Sequence, residues 1–199
     1  MGIPERLERF RAASVVVLAL LISMLSIRGL PAQDNTVGEN LAPYVPTPYA
    51  IVEKMLELAG VGENDIVYDL GCGDGRIVIM AAEKFGARGV GVDYNPERVK
   101  EAKAIVKEKG LEDKVEIILQ DALKVDLSPA TVVTLYLLAR SNALLKPNLE
   151  NQLKPGSRVV SHAFDMEGWK AKKSLTVSSE EEYAYDHVLY LWVMGEHKE

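Results

Sequence analysis

Ile66-Val67-Tyr68-Asp69-Leu70-Gly71-Cys72-Gly73-Asp74-Gly75-Arg76-Ile77-Val78-Ile79 reads as strand, tight turn and helix. An apolar, β-branched run leads into Asp69, and three spaced glycines follow. Apolar residues then return at Ile77, Val78, Met80 and Ala81 with helical spacing. Glycine suits such a turn because it tolerates positive φ and lets a ligand approach the backbone. The unpaired N–H groups of the new helix point at whatever lies over the loop.

Two ligand classes use a turn of this kind. Dinucleotides want G-x-G-x-x-G, with the pyrophosphate on the helix N-terminus. This loop is G-x-G-x-G, and Arg76 stands where the third dinucleotide glycine belongs. The strand also ends on a carboxylate, Asp69, which suits a ligand bringing an ammonium group. S-adenosylmethionine has an α-amino group and a sulfonium, and no phosphate. Gly71, Gly73, Gly75 and Asp69 are therefore its candidate cradle.

Downstream, the pattern repeats. Arg88 to Asp93 is a second strand, and Asp93 stands 24 positions after Asp69, the separation expected of a carboxylate that bonds ribose hydroxyls. Asn95-Pro96 caps and starts the next helix, and Asn95 is grouped with Asp93 on the cofactor side. Lys114 to Gln120 is a third strand, followed by Asp121-Ala122. Asp121 is placed to accept from the adenine amine, and the Ala122 N–H to donate to a ring nitrogen. Ala130 to Leu138 is an apolar fourth strand suited to a central parallel position. Pro147 is expected to break or start a helix. Ser157 to Phe164 is a fifth strand, and Lys173–Ser178 with Ala184–Met194 form a closing pair. Repeated βα units with a terminal hairpin indicate an α/β, doubly wound, Rossmann-like sheet, mainly parallel.

Upstream, Arg6, Arg9 and Arg11 precede a mostly apolar run from Ala12 to Ile27. A charged region, an apolar region and small residues near Ala32 read as a signal peptide, or as an uncleaved membrane anchor, over residues 1–32. Basic residues before the run put the N-terminus in the cytoplasm and the body exported or membrane-anchored; without use of that segment for export the body stays cytoplasmic. Residues 33–43 read as a polar linker, and residues 44–199 as the catalytic domain. Within Tyr44-Val-Pro-Thr47-Pro48, Thr47 is a good N-cap and Pro48 a good first helical residue. Tyr44 and Thr47 are expected to lie across the glycine loop and close the cofactor site.

Net charge is −6; the first 32 residues carry four Arg and two Glu, which leaves −8 for the body. Such a body disfavours phosphate-driven nucleic-acid binding. The single cysteine, Cys72, permits no intramolecular disulfide, and no metal-ligand spacing links the histidines.

The glycine loop with Asp69, Asp93 and Asp121-Ala122 resembles the class I, seven-stranded S-adenosylmethionine-dependent methyltransferases. Tyr44-Val-Pro-Thr-Pro, Thr131-Val-Val-Thr-Leu-Tyr-Leu-Leu, Leu145-Lys-Pro-Asn-Leu and Gly156-Ser-Arg-Val-Val-Ser-His-Ala-Phe resemble one group among them. These are the archaeal protein-lysine methyltransferases and the mitochondrial enzymes that methylate the ATP-synthase c-ring protein. The resemblance implies a protein-lysine substrate and places Tyr44, Thr47 and the three Asp around the cofactor. The hydrophobic N-terminus departs from the compact archaeal enzymes.

The residues after strand four narrow the chemistry. The Asn/Asp-Pro-Pro-Tyr/Phe motif of DNA amino methylation is replaced by Thr134-Leu-Tyr136-Leu, and Cys72 is misplaced for a cytosine nucleophile. Direct displacement by a neutral amine is the expectation. Tyr136, Phe164 and Trp169 are the candidate aromatic walls of a lysine channel, since such walls also hold methylated ammonium. His162, at the end of strand five, invites a base role; His187 reads as packed. A monomer is expected. A small-molecule methyltransferase acting on a quinone or lipid, and a non-catalytic S-adenosylmethionine-binding module, are the alternatives.

Overall fold

The computed structural model describes residues 37–178 and 186–198. The expected N-terminal signal or anchor, residues 1–32, lies outside the described residues, as do residues 179–185. Seven strands form one sheet in the order β3-β2-β1-β4-β5-β7-β6. They are β1 (Ile66–Leu70), β2 (Arg88–Asp93), β3 (Val115–Leu119), β4 (Val132–Leu135), β5 (Arg158–His162), β6 (Lys173–Ser178) and β7 (Asp186–Val193). β1 to β5 run parallel, and β7 is antiparallel to both β5 and β6. The strand order reverses between β1 and β4, which is where open α/β sheets hold ligands.

Helices cover both faces, as a parallel sheet requires. On one face lie α1 (Tyr49–Ala59), α2 (Arg76–Phe85) and α3 (Pro96–Glu108). The stripe Ile51, Val52, Met55 and Leu56 of α1 packs onto Val67, Val132, Val160 and Leu189. Val99, Ala102 and Val106 of α3 pack with Val115 and Ile117 of β3. On the other face, Leu145 and Leu149 of α4 (Ala139–Gln152) meet Leu70, Val133, Leu135 and Trp192.

Three local expectations are corrected. Pro147 lies inside α4 rather than at its edge. A proline there removes one helical hydrogen bond, but the fully buried Leu145 and Leu149 on either side of it hold both turns to the sheet. Strand β4 stops at Leu135, not Leu138. Leu135 pairs with Leu70, and β1 ends there as Gly71 turns away, so Tyr136 has no β1 ladder to join. Thr47 does not cap α1: Pro48 holds that position and its carbonyl accepts from Ile51 and Val52. Thr47 is instead turned inward and buried.

Helix α2 lies so close to β2 that a Cβ on Gly89 would stand 2.7 Å from Val78 Cβ and 2.9 Å from the Val78 carbonyl oxygen. Backbone in the middle of a helix cannot yield as a flexible side chain does. Gly89→Ala is therefore expected to cost about 1–3 kcal/mol of stability, the usual range for overpacking. Urea denaturation checks this; an unchanged midpoint would mean that α2 shifts freely.

Candidate active site

A cavity of about 310 Å³ opens at the carboxyl ends of β1, β2 and β4. Its floor is the glycine turn. Gly71, Gly73 and Gly75 all have positive φ, which glycine alone adopts without strain. At Gly73 there is also no room, because an added Cβ would meet the Tyr44 ring. Gly75 is buried beneath the cavity as the N-cap of α2 rather than in its wall.

Asp69, next to last in β1, lies in the cavity wall and is only 3% exposed. Parallel register sets it opposite Thr134 of β4, whose hydroxyl donates to its Oδ1 at 2.7 Å. Burial pushes its carboxyl up to about 7, against the hydrogen bond from Thr134, and neighbouring Asp93 and Asp74 add to the rise. Asp93 ends β2, accepting from the Gly73 N–H at 2.9 Å and the Asn95 N–H at 2.9 Å. Burial raises its carboxyl too. Asn95 caps α3 by accepting from the Glu97 N–H, as expected, and also lines the cavity.

Asp121 and Ala122 follow β3. Ala122 lines the cavity; the Asp121 side chain is buried behind it, accepting from the Leu123 N–H at 2.9 Å and covered by Gly38. Its carboxylate here serves the local turn, with Lys124 at 3.4 Å.

The segment before α1 forms the roof. Residues 39–43, expected as linker, line the cavity together with Tyr44 and Thr47. Leu41 is buried, and its carbonyl accepts from the Ser141 hydroxyl of α4. The Val37 N–H donates to the Tyr94 carbonyl. Tyr44 lies against the Arg98 guanidinium, 4.8 Å from the ring centroid. Arg76 grips Asp74 through Nε and Nη2 (2.6 Å for the latter) and donates from Nη1 to the Thr47 carbonyl at 2.8 Å. Burial works against the Asp74 charge, but Arg76 outweighs it and holds that carboxyl below the ordinary range. Sequence reasoning misses the roles of Asp74, Arg76 and Arg98. The i, i+2 spacing of Asp74 and Arg76 on a turn is the one signal that points to the first two.

The three aromatic candidates separate. Tyr136 lines the cavity. Phe164 is half-buried in the loop after β5 and does not line it. Trp169 is core: it packs edge-on against Trp192, with centroids 5.9 Å apart, and its Nε1 donates to Glu150 at 2.9 Å. A tryptophan buried with its N–H satisfied in this way is a packing element, on the α4 face of the sheet. Cys72 is buried beneath the turn, and burial pushes its thiol well up, so it is no thiolate nucleophile.

A family model described as the ANTKMT methyltransferase domain matches residues 69–173. The chain is 50% identical over 157 residues to a protein-lysine N-methyltransferase of Saccharolobus islandicus, covering 78% of this chain and 96% of the relative. It is 33% identical over 145 residues to the adenine nucleotide translocase lysine N-methyltransferase of Mus musculus, over 72% of this chain and 62% of that one. The crystal structure of an RNA methyltransferase from Salinibacter ruber, in complex with S-adenosyl-L-homocysteine, superposes with a TM-score of 0.71 at 49% identity, covering 78% of this chain and 97% of that one. The family match starts at Asp69 and spans the strand ends that build the cavity, and with it the chain belongs to the ANTKMT methyltransferase domain family.

Proposed function

We propose that the protein is an S-adenosylmethionine-dependent protein-lysine N-methyltransferase. The observation that carries the reading is the donor set of one cavity. Buried Asp69 and Asp93 face it from adjacent strand ends, Arg76 is already neutralised by Asp74, and Tyr136 forms the wall at β4. That set fits a cationic ligand with a ribose and misfits a pyrophosphate. The likeness to relatives named as lysine N-methyltransferases supports the acceptor.

In this reading Asp69 receives the cofactor's ammonium and Asp93 its ribose hydroxyls, with Asn95, the glycine turn and the Ala122 N–H completing the cradle. Tyr44 and Thr47 close it from above. When bound, S-adenosylmethionine supplies a methyl group on a sulfonium, open to direct displacement by a neutral amine. The chain's part is to align the amine and keep water out. A free lysine titrates near 10.4, and a desolvating channel lowers that value. Tyr136 provides an aromatic surface there and holds methylated ammonium through cation–π contact. Because Tyr136 touches the acceptor side, Tyr136→Ala is expected to lower kcat/KM at least about tenfold while cofactor affinity changes little. Equal losses in both would move Tyr136 to the cofactor side.

Labelled cofactor incubated with a lysate, beside a sample whose lysines are chemically blocked, tests the acceptor. Label confined to unblocked protein is expected. Equal labelling of both samples overturns the lysine reading, and label removed by ribonuclease does so in favour of RNA, the Salinibacter ruber structure being that of an RNA methyltransferase. The body's charge of −8 favours a basic protein segment over a phosphate backbone. Membrane attachment through residues 12–27 and a monomeric state belong to the same proposal. The basic-then-apolar N-terminal sequence supports the attachment; among the described residues no helix is long and apolar enough to cross a membrane. Release into the soluble fraction by alkaline carbonate would count against an anchor.

A further inference from the structure

At the carboxyl end of β5 stands His162, 1% exposed and one layer behind the cavity wall. The β4–β5 register, which pairs Leu135 with Ser161, sets Tyr136 beside it. The two rings meet face on, with centroids 3.9 Å apart and planes tilted by 32°. Both imidazole nitrogens are engaged. Nε2 lies 2.8 Å from Nδ1 of His187 on β7, and Nδ1 lies 3.4 Å from Oγ1 of Thr47. A neutral imidazole has one N–H. If it donates to His187, Nδ1 accepts from the Thr47 hydroxyl; if His187 donates, Nδ1–H donates to Thr47. Either tautomer is tied at two opposite corners, so the ring plane has one orientation. Burial and the neighbouring His187 hold His162 down at about 4, so it is neutral at physiological pH. The next residue, Ala163, is the one non-glycine with positive φ among the described residues, at 67°. Backbone in that region is strained and persists where its surroundings fix it, often beside functional sites.

We propose that His162 is a positioning residue for methyl transfer: Thr47 and His187 fix its imidazole, and the imidazole face fixes the ring of Tyr136. This rests on the reading of Tyr136 as the acceptor wall. A phenyl ring would supply a similar face without the bonds to Thr47 and His187; an alanine would supply neither. His162→Ala is expected to lower kcat by about ten- to a hundredfold, the scale of a misplacement near 1 Å. Its affinity for S-adenosylhomocysteine, measured by calorimetry, should stay within a few fold of wild type. His162→Phe, which keeps the face and loses both ties, should restore part of kcat. A second readout is independent of the acceptor. In protein carrying ¹³C-tyrosine, the Tyr136 signal, assigned by its loss in Tyr136→Phe, should move in His162→Ala and return toward its place in His162→Phe. If His162→Ala does not fold, His162→Leu, which fills space without a planar face, takes its place against His162→Phe. Wild-type kcat in a folded variant, equal losses in Ala (or Leu) and Phe variants, or an unmoved Tyr136 signal would each overturn the proposal. Label found in RNA would instead overturn the lysine reading and leave the Tyr136 signal as the test of His162.

Discussion

Asp69→Asn is expected to weaken S-adenosylmethionine binding by roughly ten- to a hundredfold, since a hydrogen bond to a charged group contributes about 1.5–3 kcal/mol. The variant keeps the side-chain shape and the acceptor for the Thr134 hydroxyl, so the loss isolates the charge. Calorimetric titration with the cofactor checks it. Wild-type affinity in the folded variant would mean that the ammonium binds elsewhere.

The same carboxyl predicts a pH dependence. Burial raises Asp69 from 3.8 to about 7, so below about pH 7 the folded protein without ligand favours the protonated form. That stabilising contribution is complete below the unfolded value and is lost as pH rises through about 7. A cationic ligand needs the opposite state. Its affinity should therefore be flat above about 7 and fall about tenfold per pH unit below it, reflecting the protonation step the ligand must reverse. In Asp69→Asn this slope should become shallower between pH 6 and 7, with the buried Asp93, also raised, supplying what remains. Asp93 and Asp74 face the same cavity. Asp74 titrates lower because Arg76 holds it, and does not contribute to a slope near 7.

The frame of the site was legible because its signals are local. A glycine turn between a β-branched run and a 3.6-residue period needs no tertiary information, and neither does a carboxylate at a strand end. Asp69, Asp93, Asn95 and the three glycines stand at the turn and strand ends where that reasoning puts them. What escaped depends on contacts between distant residues. The Asp69–Thr134 bond spans 65 positions and follows from the β1–β4 register. Thr47 satisfies every local rule for an N-cap, yet it turns inward to His162, 115 positions away. Residues 39–43 look like linker because they close the mostly polar, aperiodic stretch 33–43; the hydroxyl of Ser141 and the packing of Leu41 bind them to the body. Trp169 reads as a channel wall because its ring suits a methylated ammonium, but residue type does not say which face of the sheet a loop residue joins.

Asp93→Ala is expected to weaken cofactor binding by about 1.5–3 kcal/mol, or roughly ten- to a hundredfold, without unfolding the domain. Two effects add in the same direction. The first is loss of the acceptor for the ribose hydroxyls. The second is release of the glycine turn, because Oδ2 of Asp93 holds the Gly73 N–H and Oδ1 holds the Asn95 N–H, each at 2.9 Å. Asp93→Asn separates them. Its amide oxygen still accepts one of the two backbone N–H groups, while its NH₂ faces the other donor. The Asn variant should thus lose affinity to a degree between wild type and Ala. Stability should fall by about 1–3 kcal/mol in the Ala variant, since a buried N–H is left without a partner. That loss leaves the core clusters around β1 and β4 untouched, so a cooperative unfolding transition should persist. Paired urea denaturation and calorimetry decide between the effects. Affinity unchanged in a folded Asp93→Ala protein would remove the ribose assignment. Affinity lost equally in Ala and Asn, with stability intact in both, would assign the whole effect to the carboxylate charge and none to the turn.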